Sequence, residues 1–213
     1  MNWLADLLGS SIGKKWMMAL TGLAFCGFLV VHLGGNLTIY RGADSFNAYS
    51  EHLHALGPLV TVAEFGLLFF ALVHILTGLT LFYQNWRARP KRYAVNKWAG
   101  GRTIGSATMP YTGILMIGFI IFHLINFHFV DRTHTTIFQI VSQAFQSPAY
   151  VALYIIAVVI VALHISHGFW SAFQTFGANH PKYTSLIQIA SIGLAVIFGA
   201  GFASLPLFIT FSF

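Results

Sequence analysis

The stretch Leu29–Leu37, LVVHLGGNL, sets a histidine inside an apolar run and follows it with two glycines and an asparagine. Burying an imidazole costs free energy unless something binds it, so the medium around His32 decides how the residue is read. That medium is lipid. Of 213 residues, 57% are hydrophobic and 8% charged, and the mean hydropathy is +0.74, far from the composition of a soluble domain.

Working outward from His32, residues 16–40, 65–86, 103–130, 133–181 and 183–213 carry no Lys, Arg, Asp or Glu. Each run supplies the roughly 20 apolar residues that cross a bilayer. They predict five transmembrane helices, at about 16–40, 58–86, 106–130, 148–176 and 184–210, in a single domain over 1–213. The chain is read as an all-α, multi-pass protein of the cell (inner) membrane. Its start, MNWLADLLGSSIGKK, reads as an amphipathic lead-in rather than a cleavable signal. One cysteine, Cys26, lies within the first span, which excludes a disulfide framework or a cysteine metal cluster.

Lys and Arg concentrate in cytoplasmic loops. Lys14 and Lys15 precede the first span, RARPKRYAVNKWAGGR joins the second to the third, and Lys182 joins the fourth to the fifth; only Arg41 and Arg132 fall on the other side. The N-terminus is therefore expected in the cytoplasm. A basic loop so placed is a topology signal, and no nucleic-acid partner is expected. On the outer side, Phe46, Tyr49, Leu53 and Leu56 follow helical spacing, as do Ile137, Ile140, Val141, Ala144 and Phe145, and both segments read as short interfacial helices.

The spans give the histidines a depth. His32 lies nine residues before Arg41 and His123 eight before Asp131, roughly 12–14 Å below the outer helix ends at 1.5 Å per residue. His74 lies sixteen residues after Pro58 and His164 sixteen after Pro148, roughly 24 Å down. Each of the first four spans thus supplies one histidine, in two pairs of matched depth. The chain spacing repeats as well, with 42 residues from His32 to His74 and 41 from His123 to His164. His167, three residues after His164, competes with it as a ligand, and depth favours His164 slightly.

A lone membrane histidine is often a helix-helix hydrogen-bonding residue. Paired imidazoles on facing helices, without carboxylate or thiolate beside them, suit a six-coordinate iron porphyrin better than a bare metal ion. Gly35, Gly78 and Gly168, one turn beyond His32, His74 and His164, are read as allowing a flat macrocycle close to the backbone. The expected cofactors are two haem b groups, since no CxxCH motif exists for covalent attachment. Lys15, Trp16, Lys97 and Arg102, with Lys14 and Trp98, are candidates for holding the inner haem's propionates, or else plain topology determinants.

SIGKKWMMALTG before His32, HLGGNL around it and LHISHGFWSAFQTFG around His164 resemble the di-haem cytochrome b membrane-anchor subunits of succinate dehydrogenases and fumarate reductases. The resemblance covers nearly the whole chain. It implies a haem-binding four-helix bundle plus a fifth helix, with His32, His74, His123 and His164 as iron ligands, and it selects His164 over His167. It also implies a flavoprotein subunit holding FAD and an iron–sulfur subunit with its clusters, docked on the cytoplasmic face, and a quinone, menaquinone before ubiquinone. The chain has no GxGxxG after a strand and no cysteine set, so it is not the dehydrogenase by itself. Quinone chemistry moves protons with electrons, and Glu64, within the second span, and Glu51, in the outer amphipathic segment, are the candidate acids. Relatives of the family carry a glutamate in this region, and the sequence leaves open which of the two corresponds. Two other classes fit less well. A hydrogenase or formate dehydrogenase cytochrome b usually distributes its ligands differently. A haem-free histidine-relay transporter would more often carry buried acids and broken helices.

Overall fold

The computed structural model describes residues 3–88 and 103–212, and among them every regular element is helical. Eight α-helices follow in order: α1 Trp3–Gly9, α2 Ser11–Asn36, α3 Ala43–Ala55, α4 Pro58–Arg87, α5 Ile104–His123, α6 Ile137–Phe145, α7 Pro148–Thr175 and α8 Pro181–Ser212. Five of them, α2, α4, α5, α7 and α8, are long and apolar enough to cross a membrane. Their exposed surface agrees: Leu59, Val62, Phe65, Leu68, Phe69 and Leu72 of α4 all face outward, an apolar area that water would not tolerate on a monomer.

Local chemistry sets the boundaries. Ser10 accepts a hydrogen bond from the Gly13 amide at 3.0 Å, so α2 starts five residues before the expected 16. It then tightens into a 3₁₀ turn over Leu37–Arg41. Pro58 and Pro148 open α4 and α7, where a missing amide proton costs nothing. The third span runs on from α5 into a π turn, Leu124–His128, with the Asn126 amide donating to the Phe122 carbonyl at 2.7 Å. Both expected short helices form, α3 and α6. Gly42 before α3 (φ 97°) and Gly57 after it (φ 55°) adopt left-handed backbone that side chains disfavour, and these two turns lay α3 across the end of the bundle.

Four helices form a square. α2 packs along α4 and α7, α5 packs along α7, and α4 touches α5 sparingly, while the diagonal partners barely meet through their backbones. The fifth helix, α8, lies mainly against α7 and also along α2. Gly201 of α8 permits that approach, since a Cβ there would stand 2.8 Å from the Leu33 side chain. Ser191, wholly buried on α8, donates to the Ser166 carbonyl of α7 at 2.9 Å. Phe198 and Ile165 fill the α7–α8 core beside Leu33. A second core, with Ile39, Phe46, Phe145 and Tyr154, closes the end that carries α3 and α6.

Candidate functional site

The square turns one histidine inward from each of its four helices. His32 of α2 and His123 of α5 stand edge to face, ring centres 5.9 Å apart and planes at 90°. His74 of α4 and His164 of α7 face each other with centres 6.4 Å apart and planes at 61°. The first pair lies nearer α3 and α6. Thr21, whose hydroxyl touches His74, precedes His32 by eleven residues on α2, so the pairs are about 16 Å apart along the bundle.

Two imidazoles bound to one metal through bonds of about 2 Å, with about 1 Å from nitrogen to ring centre, have centres about 6 Å apart. Both pairs stand at that separation. Each offers only two protein donors, and no cluster of three or more His, Cys, Asp or Glu occurs among the described residues. Any iron held here needs a group that brings the other donors itself, as a porphyrin does.

The His74–His164 pair is seated by hydroxyls. Thr21 Oγ1 lies 3.0 Å from His74 Nδ1, which also lies 3.1 Å from the Met18 carbonyl. Thr112 Oγ1 of α5 lies 3.1 Å from His164 Nδ1. A Cβ on Gly22 would come within 3.2 Å of the His74 ring, and one on Gly113 within 3.7 Å of the His164 ring. The other pair has apolar neighbours. His32 stacks on Phe28 at 5.1 Å and leans on Phe202, while His123 Nδ1 lies 3.4 Å from the Tyr154 hydroxyl.

These contacts expose a repeat finer than the histidine spacing. Met18, Thr21, Gly22 and His32 recur 91 residues later as Met109, Thr112, Gly113 and His123, while Pro58, His74 and Gly78 recur 90 later as Pro148, His164 and Gly168. The Thr–Gly pair eleven residues before each of His32 and His123 is the signal that marks Thr21 and Thr112. The glycines expected to admit a macrocycle each have a side chain beside them. Gly35 lies against the Tyr49 ring, Gly78 against Met18 and Gly168 against Met109.

His167 meets the start of α5 rather than a second histidine: its ring is edge-on to Trp170 and its Nδ1 lies 3.4 Å from the Thr103 hydroxyl. Glu64 and His128 meet at 3.8 Å, both exposed, one turn beyond the His32–His123 level. Glu51 is exposed on α3. Arg132 reaches the Phe127 carbonyl at 2.6 Å and the His54 ring at 3.4 Å. Beside it, hydrogen bonds from the Thr133 side chain and backbone hold the Asp131 carboxyl below its ordinary pKa. At the other end, Lys14 caps α1 through the Gly9 carbonyl at 2.6 Å, Lys15 is exposed, and Trp16 meets Phe176 edge-on. Lys97, Trp98 and Arg102 lie outside the described residues.

The chain is 25% identical over 183 residues to the succinate dehydrogenase cytochrome b558 subunit of Bacillus subtilis (strain 168), an alignment that takes in 80% of this chain and 87% of that protein. This similarity supports a succinate dehydrogenase cytochrome b membrane-anchor subunit. The motif resemblance and the similarity over 80% of the chain point to the same subunit, and the five spans make this chain a multi-pass membrane protein. No protein-family model and no solved structure matches it.

Proposed function

We propose that the chain is the cytochrome b anchor of a succinate dehydrogenase or fumarate reductase, carrying electrons through two bis-histidine b haems between a cytoplasmic flavoprotein/iron–sulfur pair and membrane quinone. The observation that carries this reading is the pair of inward imidazole couples, 5.9 and 6.4 Å between ring centres, stacked at two levels of one bundle. His32 and His123 hold the outer haem and His74 and His164 the inner one, with the N-terminus in the cytoplasm. Haem b bound at these sites supplies one-electron redox chemistry, which this chain's own side chains lack.

The residues around each couple do the rest. Phe28 and Phe202 keep water from His32. At the cytoplasmic end, Lys15 and Trp16, together with Lys97 and Arg102, hold the inner propionates. Quinone, menaquinone in this reading, exchanges electrons near the outer haem. Glu64 supports that site because it faces His128 at 3.8 Å, giving an acid and a base within reach of each other at the membrane boundary. Glu51 lies on the same end of the bundle and is the second candidate. FAD and iron–sulfur clusters belong to the partner subunits.

Purification from the native membrane tests the assembly. The chain should bring with it a flavoprotein and an iron–sulfur protein, and the preparation should pass electrons between succinate and a menaquinone analogue. A haem-bearing preparation with a hydrogenase or formate dehydrogenase as its partner would contradict the proposal.

A further inference from the structure

The two imidazole couples are built unequally, and the difference fixes where a proton sits. Each threonine hydroxyl has one proton to give. That of Thr21 goes to the Met17 carbonyl at 2.7 Å, and that of Thr112 to the Thr108 or Met109 carbonyl, both at 3.1 Å. Each oxygen is thereby left to accept from the histidine beside it. For His74 a second argument agrees, since the Met18 carbonyl at 3.1 Å accepts only. On His74, Nδ1 therefore carries the proton and Nε2 keeps its lone pair, and His164 has the matching threonine partner in Thr112. Among the described residues nothing comparable holds the other couple: His32 has aromatic neighbours, and His123 has one long contact, 3.4 Å, with a phenol that can give or take.

We propose that Thr21 and Thr112 are positioning residues for the inner couple. Each hydroxyl holds the imidazole of the neighbouring helix as its Nδ1–H tautomer with Nε2 directed to the iron, and makes that imidazole the stronger electron donor. The inference rests on the haem reading above. An acceptor on the far nitrogen of a metal-bound imidazole fixes the ring and raises its basicity, which stabilises the ferric over the ferrous state and lowers the midpoint potential of that haem alone. Gly22, directly after Thr21, leaves room for the His74 ring, from which a Cβ would stand 3.2 Å.

The test is a redox titration of the purified holo-complex, following the two haems separately, in Thr21→Val and Thr112→Val, which keep the side-chain shape and remove the hydroxyl. The haem that a His32→Ala variant retains should titrate at a raised midpoint and the other at its original one. Thr112→Val should shift it further, because His74 keeps the Met18 carbonyl while His164 loses its one hydroxyl partner. Thr112→Ser should restore the original value. Unmoved midpoints with both haems present, or a shift confined to the other haem, would overturn the inference while leaving the haem reading intact. If Thr112→Val loses the inner haem, its retention in Thr112→Ser supports the hydroxyl's role, and its loss there too overturns it in favour of packing. Fewer than two haems in the unmodified chain would overturn the haem reading and this inference with it.

Discussion

His32 and His123 meet at right angles with ring centres 5.9 Å apart, although 91 residues separate them in sequence. Their helices, α2 and α5, are diagonal in the square and barely touch through their backbones, so the contact is made by side chains reaching into the middle of the bundle. His32→Ala or His123→Ala should remove or convert the outer haem and spare the inner one. His74→Ala or His164→Ala should do the reverse, and His167→Ala should leave both. Difference spectra with haem quantitation on each purified variant check the pattern, and loss of a haem in His167→Ala would exchange the ligand on α7.

Quinone exchange is expected to depend on the Glu64–His128 contact. Glu64→Gln should lower the quinone-linked rate roughly a hundredfold, the scale of a lost general acid or base. Both haems and succinate oxidation by a soluble dye should survive. Paired assays with quinone and with dye on one preparation separate these outcomes. Full quinone activity in Glu64→Gln moves the role to Glu51, and full activity in the double Gln variant moves the site elsewhere.

The spans were legible because lipid writes itself into composition: long runs without charge have no other stable use. The depth of each histidine followed from the same ruler, residue count times helical rise. What the ruler missed depends on neighbours. Ser10 caps α2 early, so Lys14 and Lys15 ride on the helix rather than before it. A threonine in a membrane helix usually bonds its own i−4 carbonyl, and Thr21 and Thr112 do so as well. Their second contact, to an imidazole, exists only once α2 lies on α4 and α5 on α7. The direction of His167 likewise follows from the packing of α5, where Gly105 brings the backbones together.

That close approach gives a stability prediction. A Cβ on Gly105 would stand 2.8 Å from the His167 Cβ and 3.1 Å from the Leu163 carbonyl oxygen, neither of which can move aside cheaply. Gly105→Val should destabilise the bundle by about 1–3 kcal/mol through overpacking. Faster thermal loss of the haem absorbance in detergent reports it, and an unchanged inactivation rate would mean that α5 sits further from α7.

Orientation is tested by labelling in a Cys26→Ala background. The eleven Lys and Arg residues divide nine to two between the expected cytoplasmic and outer sides. Val95→Cys should react from the cytoplasmic side and His134→Cys from the outside with a membrane-impermeant maleimide. The reverse pattern would place the Glu64–His128 contact on the cytoplasmic face and the docked partners on the outer one.

The most direct test of the whole account is a reduced-minus-oxidised spectrum with haem quantitation on the isolated complex. Two low-spin b haems per chain are predicted, one for each imidazole couple. A stoichiometry of one or zero would contradict it.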